Sequence, residues 1–361
     1  MSANRFIALG ALLAMLWAVP VAGTAPFIAS PTPGVTMGVP PNASPTPPNT
    51  TPEPDAEVVR VETNLANALF TATDKDHHFI TSLRASDIGV FENDVPQTIS
   101  LFERETDRPL SLAILVDTSG SQEAVLPAEK SAARAFIDSV IRPNIDQASV
   151  ISFTGIPKVE QTSTNDLRRL HAGIERVKVE LPPEPLGDEG ETPINGDDPR
   201  GYTAIWDAAW MAIESLQSKA PDHTRRAIIM LTDGDDTRSK IKKQDVIDFA
   251  VKSDVVIYSI GIRDRNFPEG KLDAGALRKV SDHTGGRAFF PTLPSELPAA
   301  FAQIDQELRS QYLIAYSPTN KSRDGSYRRI RIAVINPELR KDKPQLFYRQ
   351  GYYAKATPTQ N

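Results

Sequence analysis

The chain has 361 residues, room for one large domain or two to three smaller ones. At 40% hydrophobic and 24% charged residues it is composed like a globular protein, which excludes a fibrous or wholly disordered one. A net charge of -6 argues against a general nucleic-acid binder, and the lack of cysteine excludes disulfides, thiolate metal sites and a cysteine nucleophile.

Arg5 is the only charge before an apolar run over residues 6–19, and the small residues Val21 and Gly23 follow. This order reads as a secretory signal peptide over 1–23, cleaved near Gly23. The alternative is an uncleaved membrane anchor: with the small residues that follow, the apolar stretch is about 17 residues, the short end of what spans a bilayer. Either way the rest of the chain is expected outside the cytoplasm, secreted or in the periplasm and cell envelope. Residues 25–55 then hold ten of the thirty prolines among Ser, Thr, Asn and Gly. Such a stretch buries too little apolar surface to offset its ordering entropy, so 24–55 is expected to be a disordered, semi-extended spacer.

Residues 56–107 are β-like. Short strands are predicted at 58–61 and 69–73, and a hairpin from 87–92 to 97–102 across Asn93-Asp94. From residue 108 the pattern changes. Residues 110–116 form a near-continuous apolar run, as a strand buried on both faces does. Helical spacing follows at 125–141, where Val125, Ala128, Ala132, Phe136, Val140 and Ile141 line one side. A strand at 148–153, a short polar pair of strands ending near Thr162 and a helix at 166–177 come next. Beyond them the pattern predicts a helix at 203–218, a strand at 227–231, a helix at 245–252 and a strand at 255–260. The domain closes with a helix at 274–283, a strand at 287–290 and a last helix at 296–308. This alternation predicts a doubly wound, mostly parallel, Rossmann-like α/β sheet covered by helices on both faces.

Residues 309–355 return to β character, with strands predicted at 312–316, 327–335 and 345–353. Neither β flank is large enough to be comfortable alone. The two together predict one small all-β sandwich, with the α/β domain of 108–308 inserted in it and 356–361 as a tail.

Open parallel sheets bind ligands beyond the carboxyl ends of their strands. Three loops of this chain meet that description. Asp117-Thr118-Ser119-Gly120-Ser121 follows the strand at 110–116, and Thr232-Asp233-Gly234 follows 227–231. Gly201-Tyr202-Thr203 precedes the helix at 203–218. In an extended turn Asp117, Ser119 and Ser121 point the same way, and Thr203 and Asp233 add a hydroxyl and a carboxylate. An all-oxygen donor set suits a hard cation. Two carboxylates with three hydroxyls match Mg²⁺ better than a carboxylate-rich Ca²⁺ cage, with Mn²⁺ or Ca²⁺ as substitutes. The alternative is that Asp117 and Asp233 only cap loops and the serines only form a turn.

These three loops resemble the metal-ion-dependent adhesion site of the von Willebrand factor A domain family. Its Asp-x-Ser-x-Ser motif is matched at Asp117, Ser119 and Ser121, its threonine at Thr203, and its Thr-Asp-Gly at Thr232-Asp233-Gly234. The resemblance covers residues 108–308. It implies that Ser119, Ser121 and Thr203 touch the ion and that Asp117 and Asp233 act partly through water. The flanking β segments extend the likeness to a bacterial family of secreted proteins related to this domain. What it implies is metal-dependent binding of a protein ligand that supplies a Glu or Asp carboxylate to the ion.

Other chemistry finds less support. No His-Glu-x-x-His, phosphate-loop or Gly-x-Ser-x-Gly motif occurs, and the run from Asp233 lacks the Gly and Glu of an EF-hand. The chain is therefore read as a binding protein and not an enzyme. A metal-dependent hydrolase, or a structural envelope subunit whose ion only stabilises the loops, are the alternatives. Between Glu180 and Asp198 lie seven acids and no Lys or Arg. That long loop is either a solvated insertion or a lid over the metal face. Residues 321–349 carry nine Lys or Arg against three acids, read as a solvated β face.

Overall fold

The computed structural model describes residues 65–104, 108–179, 202–220, 224–262 and 271–356, all within a single unit, Val61–Asn361. The signal-like stretch, the proline-rich spacer, the strand expected at 58–61 and the acidic loop 180–198 lie outside the described residues. Strands β1 (Ala66–Thr73), β2 (Ile88–Glu92), β3 (Val95–Gln97) and β4 (Ile99–Arg104) come first. The central domain runs through β5 (Leu110–Asp117), α1 (Leu126–Val140), β6 (Gln147–Phe153), β7 (Lys158–Thr164) and α2 (Leu167–Arg176). It continues with α3 (Ile205–Lys219), β8 (Arg225–Leu231), α4 (Lys243–Lys252) and β9 (Val255–Ile260). Helix α5 (Ala274–Thr284), strand β10 (Ala288–Phe289) and helix α6 (Leu297–Arg309) complete it. Strands β11 (Tyr312–Tyr316) and β12 (Tyr327–Val334), the short helix α7 (Pro337–Arg340), and strands β13 (Gln345–Tyr348) and β14 (Gly351–Tyr353) follow.

The central sheet has the order β10-β9-β8-β5-β6-β7, parallel except for β7. Strand β5 lies in the middle and is buried at every position, as its apolar run requires. Alternate residues serve opposite faces. Leu110, Leu112, Ile114 and Val116 pack with Phe136, Ile174 and Phe301 from α1, α2 and α6. Ala113 and Leu115 pack with Ile213, Val246 and Leu277 from α3, α4 and α5. Each such buried aliphatic side chain contributes about 1.5–3 kcal/mol, so this two-faced core holds the strand ends in place. The doubly wound sheet expected from the alternation is the fold found.

Local signals set the helix boundaries. Asp166 caps α2 by accepting from the Arg168 N–H at 2.9 Å, and Asp273 caps α5 by accepting from Ala276 N–H at 2.8 Å. Helix α5 ends at Gly285, whose φ of 90° is left-handed. A Cβ there would lie 2.7 Å from the Arg349 backbone nitrogen.

One expectation fails at β7. The polar pair of strands ending near Thr162 is a single edge strand, antiparallel to β6, with register shifts at Ala148–Ile151. The chain reverses once, at residues 154–157, and the run after it has no second turn residue.

The flanks build two four-stranded sheets, ordered β13-β1-β11-β4 and β14-β12-β2-β3. Each mixes strands from before and after the central domain. They share a core of Ala68, Phe70, Ile88, Val90, Tyr312, Ile314, Ile330 and Ile332. Two expected elements split between them. Strand β2 turns at Asn93 and Asp94, with φ of 48° and 67°, a pair of left-handed residues typical of a tight hairpin. Only 95–97 pair back onto β2, however, and from Ile99 the chain crosses to pair with β11. The single strand expected at 345–353 likewise divides into β13 on β1 and β14 on β12.

Buried Glu307 of α6 accepts from Tyr258 OH at 3.2 Å and faces Arg287 at 3.5 Å. Burial pushes its carboxyl up from 4.5 to about 7. In that window the folded protein holds a proton that the unfolded chain has released, so stability falls as pH rises from 4.5 to about 7. At about 1.4 kcal/mol per pH unit the drop is roughly 3 kcal/mol. Glu307→Gln is expected to remove that share of the difference between pH 5 and pH 8 in urea unfolding. Identical differences in the two proteins would contradict it.

Candidate metal centre

Strand β5 delivers Asp117 to the carboxyl edge of the sheet, where it is fully buried. Its Oδ1 accepts from the Ser119 N–H at 2.9 Å and its Oδ2 from the Thr232 hydroxyl at 2.6 Å. Thr232 stands at the end of β8, so the two central strands lock each other's loops. The turn after Asp117 is extended at Ser119. Gly120–Gln122 then forms a 3-10 turn, a departure from the fully extended turn expected. The hydroxyl oxygens of Ser119 and Ser121 still end 3.1 Å apart.

From the β8 side, Asp233 Oδ2 accepts from Ser121 Oγ at 2.7 Å and from Gln122 Nε2 at 2.9 Å. Its Oδ1 accepts from the Asp235 N–H at 3.2 Å. Asp117, Ser119, Ser121 and Asp233 thus share one hydrogen-bonded network. Gly234 closes the turn at φ 84°, and a Cβ there would lie 3.0 Å from the Asp273 carbonyl oxygen. Thr203 is buried beside these loops and held through its backbone. Its N–H donates to Thr237 Oγ1 at 2.8 Å, and its carbonyl accepts from Thr237 and Arg238 N–H, each at 3.0 Å. All five expected residues therefore sit at the same edge of the sheet, four joined by side-chain contacts and Thr203 clamped by main-chain ones.

Burial, and then the charge of Asp233, push the Asp117 carboxyl up to about 7, and burial raises Asp233 as well. A divalent cation reverses both effects. The donors present are hydroxyl and carboxylate oxygens, the set a hard cation takes. Buried Gln122 Oε1 and both carboxylate oxygens of buried Glu129 have no hydrogen-bond partner. Buried polar atoms are almost always paired, and these unpaired oxygens are acceptors of the kind a hydrated cation satisfies. The residues fit a cation. Among the described residues no group of three or more His, Cys, Asp or Glu is close enough to hold a metal by itself, so the hydroxyls are needed.

Sequence reasoning missed Thr232 as a tether, Gln122, and Glu129 of α1. Glu129 was legible: it shares the apolar stripe with Ala132, Ala133 and Phe136, where a charge is out of place. The neighbouring acid Asp236 has a structural job. Its Oδ1 accepts from Ile205 N–H at 2.9 Å, and Ser239 Oγ accepts from Trp206 N–H at 2.9 Å, so the two cap α3 from another loop.

Two models of the von Willebrand factor type A domain match this chain, one at residues 112–235 and the other at 194–303. Together the two matches span residues 112–303, so the central domain is a von Willebrand factor type A domain. Domains of this family generally serve protein–protein interaction rather than catalysis, and they commonly hold a metal ion. The matched residues lie inside the central domain and do not reach the β flanks. No curated protein matches the chain. Among solved structures it is similar to the conserved hypothetical protein BatB from Bacteroides thetaiotaomicron. That match has 19% identity and a TM-score of 0.42, and covers 56% of this chain and 100% of the other. A von Willebrand factor type A protein from Catenulispora acidiphila is 13% identical over 82% of this chain and 74% of its own, at a TM-score of 0.45. The proximal thread matrix protein 1 of the mussel byssus, with a zinc-occupied adhesion motif, is 16% identical at a TM-score of 0.44. It covers 60% of this chain and 49% of its own.

Proposed function

We propose that this is an exported protein that binds a protein ligand through a divalent cation at the strand-end face. Mg²⁺ is the ion, with Mn²⁺ or Ca²⁺ as substitutes. The observation that carries this reading is the network in which two buried carboxylates, Asp117 and Asp233, are tied to Ser119 and Ser121, with no basic side chain among their bonding partners in the described residues. Two acids buried side by side without a counter-charge are costly unless a cation joins them.

In this reading Ser119, Ser121 and Thr203 hold the ion, and Asp117 and Asp233 orient its water. The ion supplies a Lewis-acidic position for a Glu or Asp carboxylate of the ligand. The chain's own contribution is rigidity. Thr232 and the Ser119 N–H fix both oxygens of Asp117, so the carboxylate cannot turn away. The rim adds contact surface. Ile156, in the loop after β6, is 81% exposed, and the Arg238 guanidinium lies over the Tyr202 ring at 4.2 Å from its centroid. An exposed aliphatic side chain and an aromatic–guanidinium stack suit a peptide with apolar residues beside its acid. Export rests on the signal-like sequence. Among the described residues no helix is long and apolar enough to cross a membrane.

The test is a pull-down from envelope and secreted fractions with the mature protein in Mg²⁺, in EDTA, and as Asp117→Ala. A partner retained only by the unmutated protein in Mg²⁺ is the expected result. A partner retained equally in all three would move binding to the β sandwich or the acidic loop and overturn the mechanism.

A further inference from the structure

Glu129 stands in the first turns of α1, eight residues after Ser121, and is completely buried. Neither of its carboxylate oxygens has a hydrogen-bond partner. The two cations of its own helix are engaged elsewhere. Lys130 donates to the carbonyls of Glu175 and Val177, and Arg134 donates to the Glu175 carboxylate at 2.7 Å. The helix N-terminus favours a negative charge in its first turns but gives Glu129 no hydrogen bond. The charges that act on Glu129 most are those of Asp117 and Asp233, and they act, like its burial, against its ionised form. The side chain thus lies within the field of the strand-end site, yet it does not join the two aspartates as a direct three-carboxylate ligand set.

We infer that Glu129 is a positioning residue of the cation site, a buried carboxylate left unpaired so that the bound ion is its counter-charge. The inference rests on the reading of Asp117, Ser119, Ser121, Thr203 and Asp233 as that site. Its consequence is a division of labour. The five motif residues fix where the ion sits, and Glu129 sets how firmly an ion is held before any ligand arrives. A third negative charge behind two carboxylates strengthens retention of the free ion. It also lowers the ion's pull on a ligand carboxylate, because the ion is more fully neutralised. Residues that act on a metal from behind its ligands are commonly worth 10–100-fold in affinity.

The experiment titrates the mature protein with Mn²⁺ and reads free Mn²⁺ by its electron paramagnetic resonance signal. It compares wild type, Glu129→Gln, Glu129→Asp and Asp117→Ala. Glu129→Gln keeps the shape and removes the charge, and is expected to bind Mn²⁺ about 10–100-fold more weakly. Glu129→Asp keeps the charge and is expected to fall closer to wild type. Thermal unfolding gives a second readout: in EDTA, Glu129→Gln is expected to melt above wild type, and saturating Mn²⁺ is expected to narrow or reverse that order. Glu129→Gln binding within twofold of wild type, or Gln and Asp variants equally weak, overturns the inference and leaves a merely structural residue. If Asp117→Ala loses Mn²⁺ while Glu129→Gln keeps it, only this inference fails. If wild type takes up no Mn²⁺, or Asp117→Ala binds as well as wild type, the cation site itself is refuted.

Discussion

Asp117→Asn is expected to raise the stability of the ion-free protein and to abolish its response to Mg²⁺. The physical reason is that Asp117 is buried, shares its site with Asp233, and has its carboxyl pushed up from 3.8 to about 7. Above pH 7 the folded state must carry a charge it disfavours. Between pH 3.8 and about 7 it holds a proton that the unfolded chain gives up, so stability falls as pH rises through that window. At about 1.4 kcal/mol per pH unit the upper bound on this cost is roughly 4 kcal/mol. Asparagine removes the charge and keeps one acceptor oxygen, while one of the bonds from Thr232 and Ser119 is lost at about 1–3 kcal/mol. The net gain in EDTA at pH 8 is therefore about 1–3 kcal/mol by the same reckoning. Wild type, in contrast, gains about 2.7 kcal/mol at an Mg²⁺ concentration a hundredfold above its dissociation constant, and the variant gains none. Urea unfolding at pH 8, in EDTA and in Mg²⁺, separates the two effects. A variant weaker than wild type in EDTA that still responds to Mg²⁺ would show that Asp117 is a loop cap and no part of a cation site.

Arg328→Ala is expected to cost 3–5 kcal/mol, against the 5–15 kcal/mol of a typical domain. Arg328 and Glu92 are both almost wholly buried, and Arg328 Nη1 lies 3.2 Å from Glu92 Oε1. Glu92 Oε2 accepts from Tyr316 OH at 3.0 Å and Tyr352 OH at 2.7 Å. Arg328 also donates to the carbonyls of Asn320, at 2.6 Å, and Ser322. Burial, with the Glu92 carboxylate, pushes the Tyr352 hydroxyl up to about 12 and raises Tyr316 too, so both stay proton donors. The cluster joins strands of both flanking sheets, from either side of the central domain. Removing Arg328 leaves the Glu92 charge buried against two tyrosines. The double replacement Glu92→Leu with Arg328→Met is expected to cost less than the sum of the single ones, because no unpaired charge remains. Urea titrations of the two single variants and the double give the coupling. A loss under 1 kcal/mol for Arg328→Ala would show that water reaches the pair.

Local residue pattern was enough to specify the central sheet and the edge at which the candidate site lies. A strand buried on both faces needs a near-continuous apolar run, and residues 110–116, interrupted only by Ser111, and 227–231 provide one. The loops that leave such strands can lie only at one edge, which is why Asp117, Ser119, Ser121 and Asp233 were legible together. Asn93-Asp94 likewise announced its turn, because few residue types accept two successive left-handed conformations. Tertiary structure decided what local pattern leaves open. A strand run carries no label for its partner, so 97–102 and 345–353 were divided between two sheets by pairings made with strands far away in the chain. The tether from Thr232 to Asp117 spans 115 residues, and the bond from Gln122 to Asp233 spans 111. Periodicity assigns Glu129 to the buried side of α1, but not what it faces there. Spacing along the chain fixes which residue types reach an edge, whereas their charge balance depends on packing, and only the folded core places three acids in one field with no cation among the described residues bonded to them.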